Sequence, residues 1–508
     1  MIIFLLLFSI SLIPENIGFN FAFELRGLVF AIGVAGLFGS LILKMLVPTN
    51  RDARNKRQIK NLYIFGNRWN NKFKLKSLDI VYIAVTFLTV ISFVTKTPNI
   101  NAFHYVFVQF GMVIVYFFIR STKKNTIQRS TQAFAGRLRE VERSEIKIPL
   151  TPSQYKFGMF HFKKGGIIVG IGFIIAVIGL IQFAMGKPVI STFGLTSYLG
   201  CFLAMNAAVA LGVALQLRVT NYELQFKKFN IGFWLTVFVL AVILFVTILT
   251  KSRTAVIALA VVLPLMIIKF KGWKVIPIKS GFKVVRWKNW SGLIRAYSPI
   301  RFTIGAGVAI FILTALFFGG KIAYKLKPMS ASGRVLIWKV SAEMFRKNPI
   351  SGVGFGNFAN YYNLYQAEYF ASGKGSVINK MTAGQIRHSY NWYLETAVEF
   401  GVFGLIVFGI FWWLILKEIY KTFVPRKTRK ARKKLQTEYR TPDTEYFLNM
   451  GLAGAVLCFM IMSLFQFPRM IIPTYLLFNV ALAWIVTVNE NIATKSPRLE
   501  EEINKKVS

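Results

Sequence analysis

Acidic residues are scarce in this chain: 20 Asp and Glu stand against 63 Lys and Arg in 508 residues, a formal net charge of +43. Cysteine is scarcer still. Two of them cannot build a disulfide framework, which excludes a small secreted scaffold. Histidine occurs three times, so proton transfer through imidazole has few places to occur. Charged residues of both signs reach only 16% against 55% hydrophobic residues, with a mean hydropathy of +0.51, which is not the composition of a water-soluble globular chain. A basic excess of this size also suits a nucleic-acid binder. Here, however, the basic clusters alternate with apolar runs of about 18–22 residues, each long enough to cross a hydrocarbon layer roughly 30 Å thick. The alternation points to a membrane protein and away from nucleic acid.

The apolar runs fall at 1–13, 27–47, 78–95, 102–119, 165–185, 198–217, 231–250, 254–268, 303–320, 397–416, 447–467 and 470–488. Lipid offers no partner to backbone amides and carbonyls, so each run must satisfy its own as a helix. The first run lacks the basic n-region and small-residue cleavage site of a signal peptide and is kept as a span. The fold class expected is therefore an all-α membrane protein with about twelve transmembrane helices and one large extracytoplasmic loop containing short amphipathic helices.

Basic residues crowd every second loop, at 51–76, 120–164, 269–301 and 417–440. The positive-inside rule makes these loops cytoplasmic, with both termini inside, where they also attract anionic headgroups of membrane lipids. Five segments follow: 1–250, N-terminal transmembrane helices with basic cytoplasmic loops; 251–320, a transmembrane pair with a basic cytoplasmic loop; 321–389, the extracytoplasmic loop domain; 390–488, C-terminal transmembrane helices; and 489–508, a mixed-charge cytoplasmic tail. Long loops translocate largely regardless of charge, so the lysines and arginines of 321–387 do not oppose the assignment. With only Glu343 and Glu368 as acids in that stretch, the loop suits an anionic ligand.

Three side chains stand out. Arg253 lies in Thr250-Lys251-Ser252-Arg253-Thr254, between two apolar runs with no loop long enough for escape. A guanidinium held at a membrane boundary is a functional candidate. Snorkelling is the bland alternative, and Lys251 could anchor the helix end equally well. Arg334, in Ser332-Gly333-Arg334 ahead of Trp338, is expected at a helix start capped by Ser332, where free amides favour anions. His388, before the run at 397–416, can take a proton from an attacking hydroxyl, and Glu395 and Glu399 are expected on its helical face as a polar cavity wall. His104 and His161 read as structural. Gly352, Gly354 and Gly356 have the spacing of a tight turn rather than of a dinucleotide fingerprint. No external Asp-x-Asp or Cys/His cluster suggests a metal site, so two arginines holding a diphosphate beside a neutral base is the chemistry expected.

These elements resemble the O-antigen ligase and polymerase superfamily of integral membrane glycosyltransferases. The likeness runs from Thr250-Lys251-Ser252-Arg253-Thr254, through Gly333-Arg334 to Trp338, Asn348-Pro349 and Gly352-Val353-Gly354-Phe355-Gly356-Asn357-Phe358, to His388-Ser389-Tyr390-Asn391, Tyr393-Leu394 and Glu399-Phe400-Gly401-Val402-Phe403-Gly404. The resemblance implies transfer of a glycan from undecaprenyl diphosphate to a sugar hydroxyl at the outer face of the bacterial cytoplasmic membrane, inverting, with no metal and no cofactor. Arg253 and Arg334 would bind the diphosphate, with Lys251, Arg387, Tyr390, Asn391, Glu395 and Glu399 as further substrate contacts. Family members commonly carry His-Ser-His-Asn, and the catalytic histidine of the ligases aligns with Tyr390. Either His388 takes over as base, or this branch relies on stabilising the departing diphosphate. The expected activity is a polysaccharide polymerase acting on a second lipid-linked glycan. The alternatives are a ligase to lipid A core, protein or wall, a lipid-linked oligosaccharide flippase, and an envelope scaffold. A flippase or a chain-length regulator is a further candidate partner.

Overall fold

The computed structural model describes residues 30, 33–34, 75–96, 103, 105–121, 152–223, 231–271, 273–278, 281–286, 328–424 and 446–505, with side chains placed outside 152–164, 219–223, 270–286, 328–331 and 491–505. The expected spans at 1–13 and 303–320, and all but three residues of 27–47, lie outside the described residues.

The elements are α1 (Ser77–Thr95), α2 (Tyr105–Ser121), α3 (Pro152–Ala184), α4 (Thr196–Glu223), α5 (Ile231–Leu249), α6 (Arg253–Lys271), α7 (Pro328–Lys347), α8 (Phe358–Ala371), α9 (Val377–Met381), α10 (Trp392–Phe423), α11 (Tyr446–Met462) and α12 (Ile472–Lys505). Among the described residues six helices are long and apolar enough to cross a membrane, and α2 and α11 are shorter apolar helices. One departure from helix is a two-stranded antiparallel hairpin, β1 (Trp273–Ile278) and β2 (Gly281–Arg286), within the basic stretch after α6. The β-branched residues Val275, Ile276, Val284 and Val285 suit strand geometry.

Burial separates the centre of the bundle from its margin. In α12 the apolar stretch Ile472–Glu490 is 94% buried and in α4 Thr196–Arg218 is 89% buried, whereas in α5 the figure is 22%. Trp234, Leu235, Phe238, Phe245 and Ile248 of α5 are exposed, a face suited to lipid. The close approach of α4 to α11 depends on small residues: a Cβ on Gly212 would lie 2.6 Å from Gly451 Cα and from the Phe447 carbonyl oxygen. With no hydrophobic drive between helices in lipid, such close backbone packing is a main source of association.

The two ends of the bundle differ chemically. At one end, Asp79 in the first turn of α1 accepts hydrogen bonds from Tyr116 Oη (2.7 Å) and Arg120 Nη2 (2.7 Å), and Arg120 also meets Glu490 of α12 at 3.3 Å. Asn489 donates to Glu418 of α10 nearby. The other end carries the last turn of α1, the start of α2, the α5–α6 corner, the segment between α11 and α12, and α7 to α9. Lys96 reaches Ser351 there, and Phe355 N donates to Ser92 Oγ.

The helix α10 is broken at Gly401, whose φ of 66° and ψ of −156° are open to glycine alone. A Cβ on Gly401 would lie 2.3 Å from the Ile350 carbonyl oxygen. The amide released just after the break, Val402 N, donates to the Pro349 carbonyl (2.8 Å), while Val353 N and Gly354 N donate to the Val398 and Glu399 carbonyls (both 2.9 Å). The glycine-rich turn therefore docks onto the break. Gly352, at φ 65°, has no room for a Cβ against the Glu399 backbone.

Candidate functional site

The segment before α10 is shaped by its own polar side chains. Asn391 caps the helix, its Oδ1 accepting from Leu394 N at 3.0 Å. Ser389 Oγ donates to the Asn391 carbonyl at 2.6 Å and accepts from Asn391 N at 3.2 Å. Between them Tyr390 takes a left-handed φ of 56°, which costs about 1–2 kcal/mol in a residue with a side chain and is held by those bonds. The consequence is that His388 precedes the helix and does not share its face. Glu395 instead turns back toward it.

His388 Nδ1 lies 3.1 Å from Glu395 Oε1, and the second oxygen, Oε2, accepts from Ser389 N at 2.9 Å, with Ser389 Oγ, whose proton goes to the Asn391 carbonyl, 3.2 Å away. The carboxylate thus supplies an acceptor for an Nδ1 proton, which leaves Nε2 with the lone pair. Nε2 lies 3.4 Å from Tyr105 Oη at the start of α2. The imidazole packs on Phe467 with ring centroids 4.8 Å apart, and its side chain is 12% exposed.

Arg334 lies in the second turn of α7, not at its start. The helix begins at Pro328, whose ring suits the first turn, so Ser332 is an interior residue that donates to Asn379 Oδ1 rather than a cap. The Arg334 guanidinium sits 5.1 Å above the Tyr390 ring, and its Nη1 donates to the Phe465 carbonyl at 3.2 Å. One turn on, Trp338 Nε1 donates to the Ser389 carbonyl at 3.0 Å. The same face of α7 thereby grips Ser389 and Tyr390, the two residues after His388. Burial lowers the Arg334 pKa, the Tyr390 ring opposes this, and Arg253 lowers it further. Among the described residues Arg334 meets no carboxylate. Its charge and that of Arg253 therefore reinforce one another, a setting that favours an anion.

Arg253 begins α6, just after a corner in which Lys251 adopts φ 52°. Lys251 and Arg387 are exposed; Arg253, Tyr390 and Asn391 are partly buried. Phe467 joins the pieces, packing on His388, on Tyr390 (5.1 Å) and on Tyr198 at the start of α4 (5.7 Å). The structure therefore brings His388, Tyr390 and Arg334 around residues 465–467, with Arg253 in electrostatic reach of Arg334.

Glu395 and Glu399 are 1% and 2% exposed and face inward. Arg469, in the turn before α12, lies between them: Nη2 is 3.1 Å from Glu395 Oε1 and 3.3 Å from Glu399 Oε2. Glu399 Oε1 accepts from Gly356 N at 2.8 Å. The guanidinium is flanked by the Phe355 and Trp392 rings at 5.5 and 5.3 Å. Burial works against its charge, but Glu399 and Glu395 outweigh it and raise the Arg469 pKa. Neither Arg469 nor Tyr105 is among the residues expected from sequence. Arg469 had a signal: it stands with Pro468 between runs ending at 467 and starting at 470, the same corner placement that singles out Arg253. Among the described residues no group of three or more His, Cys, Asp or Glu side chains is placed to hold a metal ion.

Residues 237–409 match the family model described as O-antigen ligase. The matched stretch carries Arg253, Arg334, His388, Glu395 and Glu399 and ends before Arg469. The match supports a likeness of this stretch to the O-antigen ligase and polymerase superfamily of glycosyltransferases, within a multi-pass membrane protein. No curated protein matches the chain.

Proposed function

We propose that this O-antigen-ligase-type protein is a polysaccharide polymerase at the outer face of a bacterial cytoplasmic membrane, taking its glycan from a polyprenyl-diphosphate donor. A hydroxyl of a second lipid-linked glycan attacks the anomeric carbon from the face opposite the diphosphate. The new glycosidic bond forms as the bond to diphosphate breaks, which inverts the anomeric centre. His388 Nε2 takes the hydroxyl proton, and the departing polyprenyl diphosphate keeps the bonding electron pair, its charge met by Arg334 and Arg253. Lys251 and Arg387, both exposed, extend the cationic rim.

The observation that carries this reading is the pairing of a carboxylate-backed imidazole with a guanidinium that has a carbonyl and a ring face for partners. His388 is backed by Glu395 at 3.1 Å, and Arg334 rests on Tyr390, two residues from that histidine. Tyr390 is engaged under Arg334, which favours His388 as the base. The departure of Tyr390 from the ligase pattern favours polymer growth over transfer to a different acceptor. Purified protein incubated with a defined undecaprenyl-diphosphate oligosaccharide tests the proposal. A ladder of lengthened lipid-linked products supports it. A single new band that requires lipid A core, protein or wall acceptor makes the protein a ligase, and movement of donor across vesicles without elongation makes it a transporter.

A further inference from the structure

Behind His388 two carboxylates, Glu395 and Glu399, share one guanidinium, Arg469, and all three are buried. Arg469 is therefore the guanidinium on which both carboxylates lean, and Glu395 is the one of the two that also meets His388. Without Arg469 the two carboxylates would face each other in a low-dielectric site with no cation, and one would take up a proton, since like charges so close cannot both persist there. A protonated Glu395 no longer stabilises imidazolium and no longer fixes the Nδ1 proton, so the Nε2 lone pair is lost from the acceptor side for part of the population.

We propose that Arg469 is a positioning residue that lies between the two buried carboxylates and so keeps Glu395 an anion behind His388. The inference rests on His388 being the base. It assigns a role to a residue outside the matched stretch 237–409, and it explains why Arg469 touches both carboxylates through the same nitrogen, Nη2, while aromatic rings cover its faces.

The test compares Arg469→Gln with the double variant Arg469→Gln/Glu399→Gln, measuring kcat and donor KM on the same lipid-linked oligosaccharide. The single variant leaves the two carboxylates competing for one proton; the double variant removes Glu399 from that competition and leaves Glu395 ionised. Expected is a fall in kcat of about 10²-fold for the single variant, with donor KM within about threefold, and recovery of at least about tenfold in the double. Wild-type kcat in the single variant overturns the proposal. So does a double variant no better than the single, because a merely structural arginine is not replaced by deleting its partner. Where the glutamine variant does not fold, Arg469→Lys keeps the charge without the planar fork. Its kcat should stay within about tenfold of wild type, and a loss beyond about 10²-fold overturns the proposed role. His388→Gln in parallel separates the two levels. Wild-type turnover there removes the base assignment and this inference with it, whereas a dead His388→Gln beside a fully active Arg469→Gln removes this inference alone.

Discussion

His388 and Glu395 meet across the N-cap of α10, the imidazole Nδ1 3.1 Å from the carboxylate Oε1. Because Glu395 also accepts from Ser389 N at 2.9 Å, the carboxylate is fixed by the residue adjoining the histidine it orients. The ring has little rotational freedom, and Nε2 is the nitrogen left to meet substrate.

His388→Ala is therefore expected to lower kcat by roughly 10²–10⁴ while donor binding persists. Turnover and donor affinity measured on purified protein check this. Full activity of His388→Ala together with a dead Tyr390→Phe would transfer the role to Tyr390.

Arg334→Ala should weaken donor capture and turnover together. A charge-assisted contact to phosphate oxygens contributes about 1.5–3 kcal/mol, so kcat/KM should fall roughly 10- to 100-fold. Lysine at the same position should recover only part, since it lacks the fork and stacks less well on Tyr390. An Arg334→Ala variant with unaltered kcat/KM would remove the arginine from the donor site.

Gly401→Ala should destabilise the protein by about 1–3 kcal/mol through backbone strain alone, and more if the Ile350 carbonyl, 2.3 Å from the added Cβ, cannot yield. Thermal unfolding in detergent measures it. Gly409→Ala in the same helix, with nothing within 4 Å of its Cβ, serves as the control and should leave the midpoint in place.

Arg120→Met leaves Asp79, 0% exposed, without its cation. Breaking a buried pair from one side costs about 3–5 kcal/mol. A lower unfolding temperature with an unchanged donor KM is expected, because this cluster lies at the end of the bundle away from His388.

The partly exposed Glu343 is hydrogen-bonded by Lys374 and Arg346, which hold its carboxyl at about 2. A depressed carboxylate pKa contributes stability above its ordinary range and loses it as pH falls through the folded value. The protection factors of residues 372–376, with exchange corrected for its intrinsic dependence on pH, should therefore fall as pH falls from about 4.5 to about 2, modestly, because solvent screens the pair. Protection that does not respond to acid would dissociate the loop from Glu343.

Much of this was legible in the sequence, and the misses have physical causes. Spans read from length and hydropathy coincide with α1 to α6 and α10 to α12, since lipid leaves the backbone no alternative to helix. Arg253 and Arg334 were marked by position and by the absence of acids around them. Glu395 stands out in the sequence, but the shared helical face expected for it does not exist, because the cap at Asn391 starts α10 three residues after His388. Arg469 occupies a corner that resembles that of Arg253 without the flanking polar run that makes Arg253 conspicuous. The break at Gly401 has no local signal: Phe400-Gly401-Val402 would fit a continuous helix, and only the Ile350 carbonyl, brought in from fifty residues away, demands a conformation open to glycine.

That break also gives each half of α10 its own anchor. The short half bearing Glu395 and Glu399 is fastened to the 349–356 turn by backbone hydrogen bonds, while the long half packs on α1 and α12 through Phe411 on Tyr82, Trp412 on Phe478 and Glu418 on Asn489. The imidazole and its carboxylate therefore take their position from the glycine turn as much as from the bundle, so a lesion in 349–356 should reach the chemistry although none of those residues meets the donor.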